Sequence, residues 1–240
     1  MKFLKVILFS LNIITILSSC NNEQPINTKN IFEKALPTDS LSYYFPPSMN
    51  DTFKRKHSMY QDYGQKWFSA TLYAFKEPIL YNKIDSQSIY RLLWSRAFHP
   101  TICFSIKHSN GNYFLNAKTL DREPEVFPTI QVRDKVKGKE ILDTIPADRF
   151  ALIATDTIIM LKKKQGEKID DYLSKLNFWN SPNADPEDQH TTDGSTWIIE
   201  GRKNNKYHYI ERRNAEGDLM VLGKYFIKLS GLKIREDAIY

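Results

Sequence analysis

The chain has 240 residues, with Lys+Arg 34 against Asp+Glu 28, a formal net charge of +6, and two cysteines. That length holds one large or two small domains, and a hydrophobic share of 41% with 13% aromatic residues excludes general disorder. Nine glycines and eleven prolines exclude collagen-like and low-complexity architectures, and two cysteines exclude a disulfide framework or a thiolate zinc site.

The first element in chain order reads as an export signal. Lys2 and Lys5 precede Val6–Leu17, an apolar stretch broken only by Ser10, Asn12 and Thr15, and the first acid is Glu23. An apolar run of about 7–15 residues is too short to span a bilayer, which takes roughly 20. The segment closes on Leu17-Ser18-Ser19-Cys20, which resembles the lipobox of bacterial lipoproteins.

That resemblance implies cleavage before Cys20, a diacylglyceryl group on its sulfur, and acylation, as with palmitate, of the new amine. Each buried methylene contributes about 0.8 kcal/mol, so two or three chains anchor a protein where one does not. It also implies a position: Asn21 is not the aspartate that retains some lipoproteins at the inner membrane. Asn21-Asn22-Glu23-Gln24 lacks an acidic run that would favour surface display. The expected location is therefore the outer membrane, facing the periplasm. Removing residues 1–19 takes away two lysines and no acid, lowering the balance from +6 to +4. So mild an excess requires no nucleic-acid partner. Cys103 is left without a partner thiol and reads as a small buried hydrophobe.

Residues 20–45 are polar, rich in Asn and Thr, and read as a tether; residues 46–240 read as a single globular domain. Lys54-Arg55-Lys56-His57 could approach anionic headgroups or lie in a solvated turn. Trp67, Phe68, Thr71, Leu72 and Phe75 predict a helix over 65–75, stopped by Pro78. Residues 89–98 fit either a strand or a helix, and the strand is preferred because Pro100 and another strand-like run follow.

Thr101–Lys118 predicts a hairpin around Asn110-Gly111. Its register puts His108 opposite Tyr113, Ile106 opposite Leu115 and Phe104 opposite Ala117, on one face, with Cys103, Ser105 and Lys107 on the other. Strands are expected at 126–132 and 150–161, joined through 143–148. Lys162-Lys163-Lys164 is expected in an exposed turn, followed by a short helix over 167–176. After a turn-rich stretch from 180 to 192, Trp197–Arg212 predicts a second hairpin around Asn204-Asn205. A helix over 217–229 ends at Gly231. Consecutive hairpins mixed with helices predict an α+β fold with a largely antiparallel sheet.

The runs Tyr90-Arg91-Leu92-Leu93-Trp94-Ser95-Arg96-Ala97-Phe98-His99-Pro100 and Asp193-Gly194-Ser195-Thr196-Trp197, followed by Glu200 and Tyr207-His208, resemble an uncharacterised group of bacterial proteins. The likeness spans about half of the chain. It implies a shared fold and no particular activity.

His190, Asp193, Glu200 and His208 are the residue types of a metal site or an acid–base pair. The hairpin register argues against that grouping, because pairing Glu200 with Tyr209 and Gly201 with His208 sends Glu200 and His208 to opposite faces. No cofactor, catalytic or metal-ligating residue is assigned. One face carries Trp197, Ile199, His208 and Ile210 and is expected inside, with Arg212 beside Trp197. The other carries Ile198, Glu200, Arg202, Tyr207, Tyr209 and Glu211. Its mixture of tyrosines and charges suits a solvated sheet face, or a surface that holds a protein or cell-wall partner. On either reading, replacing Tyr207 and Tyr209 should cost little stability, whereas Trp197→Ala should be severe. Two functional classes follow. One is a non-catalytic binding module held at the membrane by Cys20, with Glu200, Arg202, Tyr207 and Tyr209 as its contact residues. The other is an envelope hydrolase or metal-dependent enzyme with a loop site near His190 and Asp193.

Overall fold

The computed structural model describes residue 32, residues 43–47 and 49, and residues 63–81, 87–124, 129–136, 139–145, 151–184 and 194–240. Cys20, the tether up to residue 42, Lys54-Arg55-Lys56-His57, His190 and Asp193 lie outside them.

The fold is α+β, built on one six-stranded antiparallel sheet. Helix α1 (Tyr63–Ala74) is followed by strands β1 (Ser88–Arg96), β2 (His99–Ser109) and β3 (Asn112–Leu120). A separate hairpin of β4 (Thr129–Val136) and β5 (Lys139–Ile145) comes next, then β6 (Ile153–Leu161). Helix α2 (Lys163–Lys175), β7 (Ser195–Lys203), β8 (Lys206–Arg213) and α3 (Gly217–Ser230) complete the chain, with a short 3₁₀ turn at Glu236–Ala238. The sheet order is β6-β3-β2-β1-β7-β8.

Both hairpins adopt the register read from their turns: His108 faces Tyr113, Phe104 faces Ala117, Glu200 faces Tyr209 and Gly201 faces His208. Asn110, Asn204 and Asn205 take positive φ of 51°, 51° and 61°, as tight two-residue connections require. The ambiguous segment is the strand β1. It lies at the centre of the sheet, paired with β2 on one side and β7 on the other.

Strand alternation divides the sheet into two buried faces. Leu92, Trp94, Phe104, Ile106, Leu115, Trp197 and Ile199 pack under α2 and α3 with Leu173, Leu222 and Phe226. On the opposite side Leu93, Cys103, Ile198 and Tyr209 pack under α1 with Phe68, Leu72 and Phe75. Tyr44 and Phe45 are fully buried in this second core, so the folded part includes residues of the stretch read as tether.

Two other boundaries differ from expectation. The connection through 143–148 is in part β5, whose polar Lys139, Glu140 and Asp143 hide the strand pattern. Strand β4 (Thr129–Val136) overlaps the strand expected at 126–132, whose first residues lie outside the described ones. Lys163 and Lys164 form the first turn of α2: Gln165 Oε1 accepts from the Lys162 N–H (2.8 Å), capping the helix four residues earlier than its apolar stripe indicates.

Candidate functional site

The face of β7 and β8 that carries Glu200, Arg202, Tyr207 and Tyr209 forms as the register predicts, but it is an interior. Glu200 is 1% exposed, Tyr209 2% and Arg202 4%, and Tyr207 is half-buried. The expectation of an open partner surface, or a solvated face, is therefore corrected. Helix α1 and the Tyr44-Phe45 segment cover the face, with the Phe45 ring edge-on to Tyr209 at 6.2 Å.

A charge network makes that burial tolerable. Tyr209, Glu200, Arg91 and Ser105 stand side by side in one row across β8, β7, β1 and β2. Arg91 donates through Nε (2.9 Å) and Nη2 (2.5 Å) to Glu200 Oε1. Its Nη1 reaches the Pro78 carbonyl (2.7 Å) and lies 3.4 Å from Glu77 Oε2. Glu77 comes from the end of α1. There Lys76 takes a left-handed φ of 54° and the Glu77 N–H returns to the Leu72 carbonyl (3.1 Å), a closing turn that aims the carboxylate at the sheet. Lys118 Nζ donates to Glu77 Oε1 (2.6 Å) and to the Phe75 carbonyl (3.0 Å), and the Ser105 hydroxyl donates to Glu77 Oε2 (2.9 Å). Two cations thus balance two carboxylates away from water. Burial alone would raise Glu77, but Lys118 and Arg91 outweigh it and hold the carboxyl below its ordinary value. Glu200 stays above its ordinary value, because burial exceeds the opposing pull of Arg91.

Glu200 and His208 point to opposite faces, as the register requires. His208 Nε2 lies 2.9 Å from the Ser181 carbonyl oxygen, and its ring meets Phe178 edge-on at 5.3 Å. Burial holds this imidazole below its ordinary value. Arg212, opposite Trp197, donates to the carbonyls of Glu211 (2.6 Å) and Pro182 (3.0 Å). Cys103 is buried and its thiol pKa is pushed far up by desolvation, the environment of an inert thiol. Among the described residues, no three His, Cys, Asp or Glu side chains gather as metal ligands. No helix among them is long and apolar enough to cross a membrane.

An open concave feature among the described residues lies elsewhere. A groove of about 340 Å³ runs between the ends of β1, β2 and β3 and the segment after α3. Its walls include Arg96, His99, Ile102, Leu120 and residues 232–235. The Arg96 guanidinium stacks over the Trp94 ring at 4.5 Å and donates from Nη2 to the Pro100 carbonyl (2.6 Å). Its buried Nε has no hydrogen-bond partner among the described residues. Beside it, Glu123 Oε1 accepts from the Thr101 N–H (2.5 Å), while Glu123 Oε2 and Thr101 Oγ1 are also unpartnered among the described residues. Burial raises the Glu123 carboxyl.

The wall after α3 is tied down through Tyr240. Its carbonyl oxygen accepts from Trp94 Nε1 (3.2 Å), Trp197 Nε1 (3.0 Å) and the Ser195 hydroxyl. Tyr240 Oη lies 3.1 Å from His99 Nδ1, which supplies the partner that sequence alone could not assign to His99. Sequence reasoning missed the groove because it joins strand ends near residue 100 to a segment beyond residue 230. The only local signal is the basic pair Lys233 and Arg235.

No family model matches the chain, and no curated protein or solved structure matches it.

Proposed function

We propose that this protein is a lipid-anchored component of the bacterial cell envelope, held through Cys20 at the periplasmic face of the outer membrane, whose folded domain acts as a non-catalytic binding module. The anchor rests on Leu17-Ser18-Ser19-Cys20 and the apolar run before it. The groove beside Arg96 carries the binding reading. It is concave, apolar along much of its wall and cationic at its rim, the chemistry of recognition. The buried charged groups Glu77, Arg91, Lys118 and Glu200 are shut beneath α1 and neutralise each other. That arrangement organises a core and offers no substrate access.

The test has two parts. Membrane partitioning and the mass of the mature amino-terminal peptide are compared between the native chain and Cys20→Ala. The native chain should partition with membranes and carry acyl mass on Cys20, and an unmodified Cys20 would sink the anchor. Crosslinking in native membranes should then capture a partner or ligand on residues around the groove. Crosslinks that never include those residues would sink the binding reading.

A further inference from the structure

We infer that the groove bounded by Arg96, Lys233 and Arg235 binds a small organic anion with an apolar body. This rests on the reading of the domain as a binding module and adds the chemistry of what it binds. The lining contains three permanent cations and no carboxylate; Glu123 lies beside Arg96 and Asp237 beside Arg235, which leaves these five groups net positive, so the field favours an anion. Ile102, Leu120, Leu232 and Ile234 give the same walls an apolar surface, so a fully hydrated inorganic ion would leave most of the groove unused. The volume of about 340 Å³ falls at the lower end of small-molecule sites.

Arg96 supplies the recognition point. It is 9% exposed, and the Trp94 ring and the Pro100 carbonyl fix its guanidinium. A planar fork already oriented loses little freedom when it takes up a carboxylate or phosphate oxygen. Its Nε is shut inside the protein, so an anion in the groove would meet the rest of the guanidinium, held in place from behind by the Trp94 ring. Arg235 is also 3.3 Å from Asp237, but both side chains are largely exposed, and a pair of that kind holds its partners weakly. A free carboxylate and a phosphate headgroup share this chemistry.

The full-length chain in discs of neutral lipid is titrated with hexanoate, hexyl phosphate, hexylamine and acetate, and tryptophan emission is followed because Trp94 lies beneath Arg96. Hexanoate or hexyl phosphate should produce a saturable change. The stronger of the two identifies the headgroup as carboxylate or phosphate. Acetate should bind at least tenfold more weakly, and hexylamine should give no saturable change. The double variant Lys233→Glu/Arg235→Glu should weaken binding at least tenfold. It alters only wall residues that project into solvent, so its melting temperature should stay unchanged. The variant occupies the same bilayer, so ligand dissolved in lipid cancels in the comparison. Equal binding of hexylamine, or an unaltered affinity in the double variant, would overturn the inference. If the anions fail while crosslinking still captures a partner at the groove, the ligand class alone is wrong. If both fail, the module reading falls with it.

Discussion

Glu77 sits 2% exposed with a carboxylate that has exchanged water for Lys118, Arg91 and the Ser105 hydroxyl. Removing one member of such a set leaves the others charged and unpaired, which typically costs about 3–5 kcal/mol. Glu77→Gln should show a loss of that size in urea melts near neutral pH. The pH dependence has a definite sign. A carboxyl held below its ordinary value in the folded state stabilises that state above the unfolded pKa, and the contribution disappears as pH falls through the folded value. The gap between native and Glu77→Gln stability should therefore narrow steadily as the melts are repeated in acid. A constant gap would show that Glu77 acts through packing. Glu200, shifted the other way, has the opposite sign and is left intact in this comparison.

Helix α3 reaches the sheet because Gly223 carries no side chain: a methyl there would overlap the Trp197 indole. Alanine is the better helix former by about 1 kcal/mol, so an exposed Gly→Ala in a helix stabilises. Here overpacking should win, and Gly223→Ala should destabilise by about 1–3 kcal/mol in denaturant melts. A stabilised variant would mean that α3 can shift away from the indole without loss. The elements themselves were largely legible, because Asn110-Gly111 and Asn204-Asn205 set hairpin register locally and the alternation of Phe104, Ile106, Tyr113 and Leu115 agrees with it. What covers each face was not. Glu200, Arg202 and Tyr207 read as a solvated or partner-facing surface since a pattern of residue types does not reveal pairing. The guanidinium that neutralises Glu200 lies 109 residues earlier in the chain. The groove was hidden for the same reason, being assembled from segments distant in sequence.

At the scale of the whole molecule, one sheet serves two cores: α2 and α3 close one side and α1 closes the other. Stability on either side should then be felt through the same strands. Trp197→Ala, on the α3 side, should cost about 3–5 kcal/mol. Tyr209→Ser, on the α1 side, should cost a comparable amount, because Tyr209 is 2% exposed. Both should lower a single transition that is coincident by circular dichroism and tryptophan emission. Separate transitions would show that the two layers unfold independently.

The pairing of β1 with β7 also imposes an order in time. A chain made from its amino terminus finishes β1 at Arg96 and β3 at Leu120, well before β7 starts at Ser195. Until then one side of β1, with Leu92, Leu93 and Trp94 along it, is a hydrogen-bonding edge without its native neighbour. An exposed apolar edge is a template for pairing between chains. Polypeptides ending at residue 193 should therefore self-associate or recruit chaperones more strongly than those extended through residue 213, in which β1 is paired and only the face that α3 closes stays open. Sedimentation of the two lengths under the same conditions reads the difference, and equal dispersion would mean that another segment shields β1 while it waits.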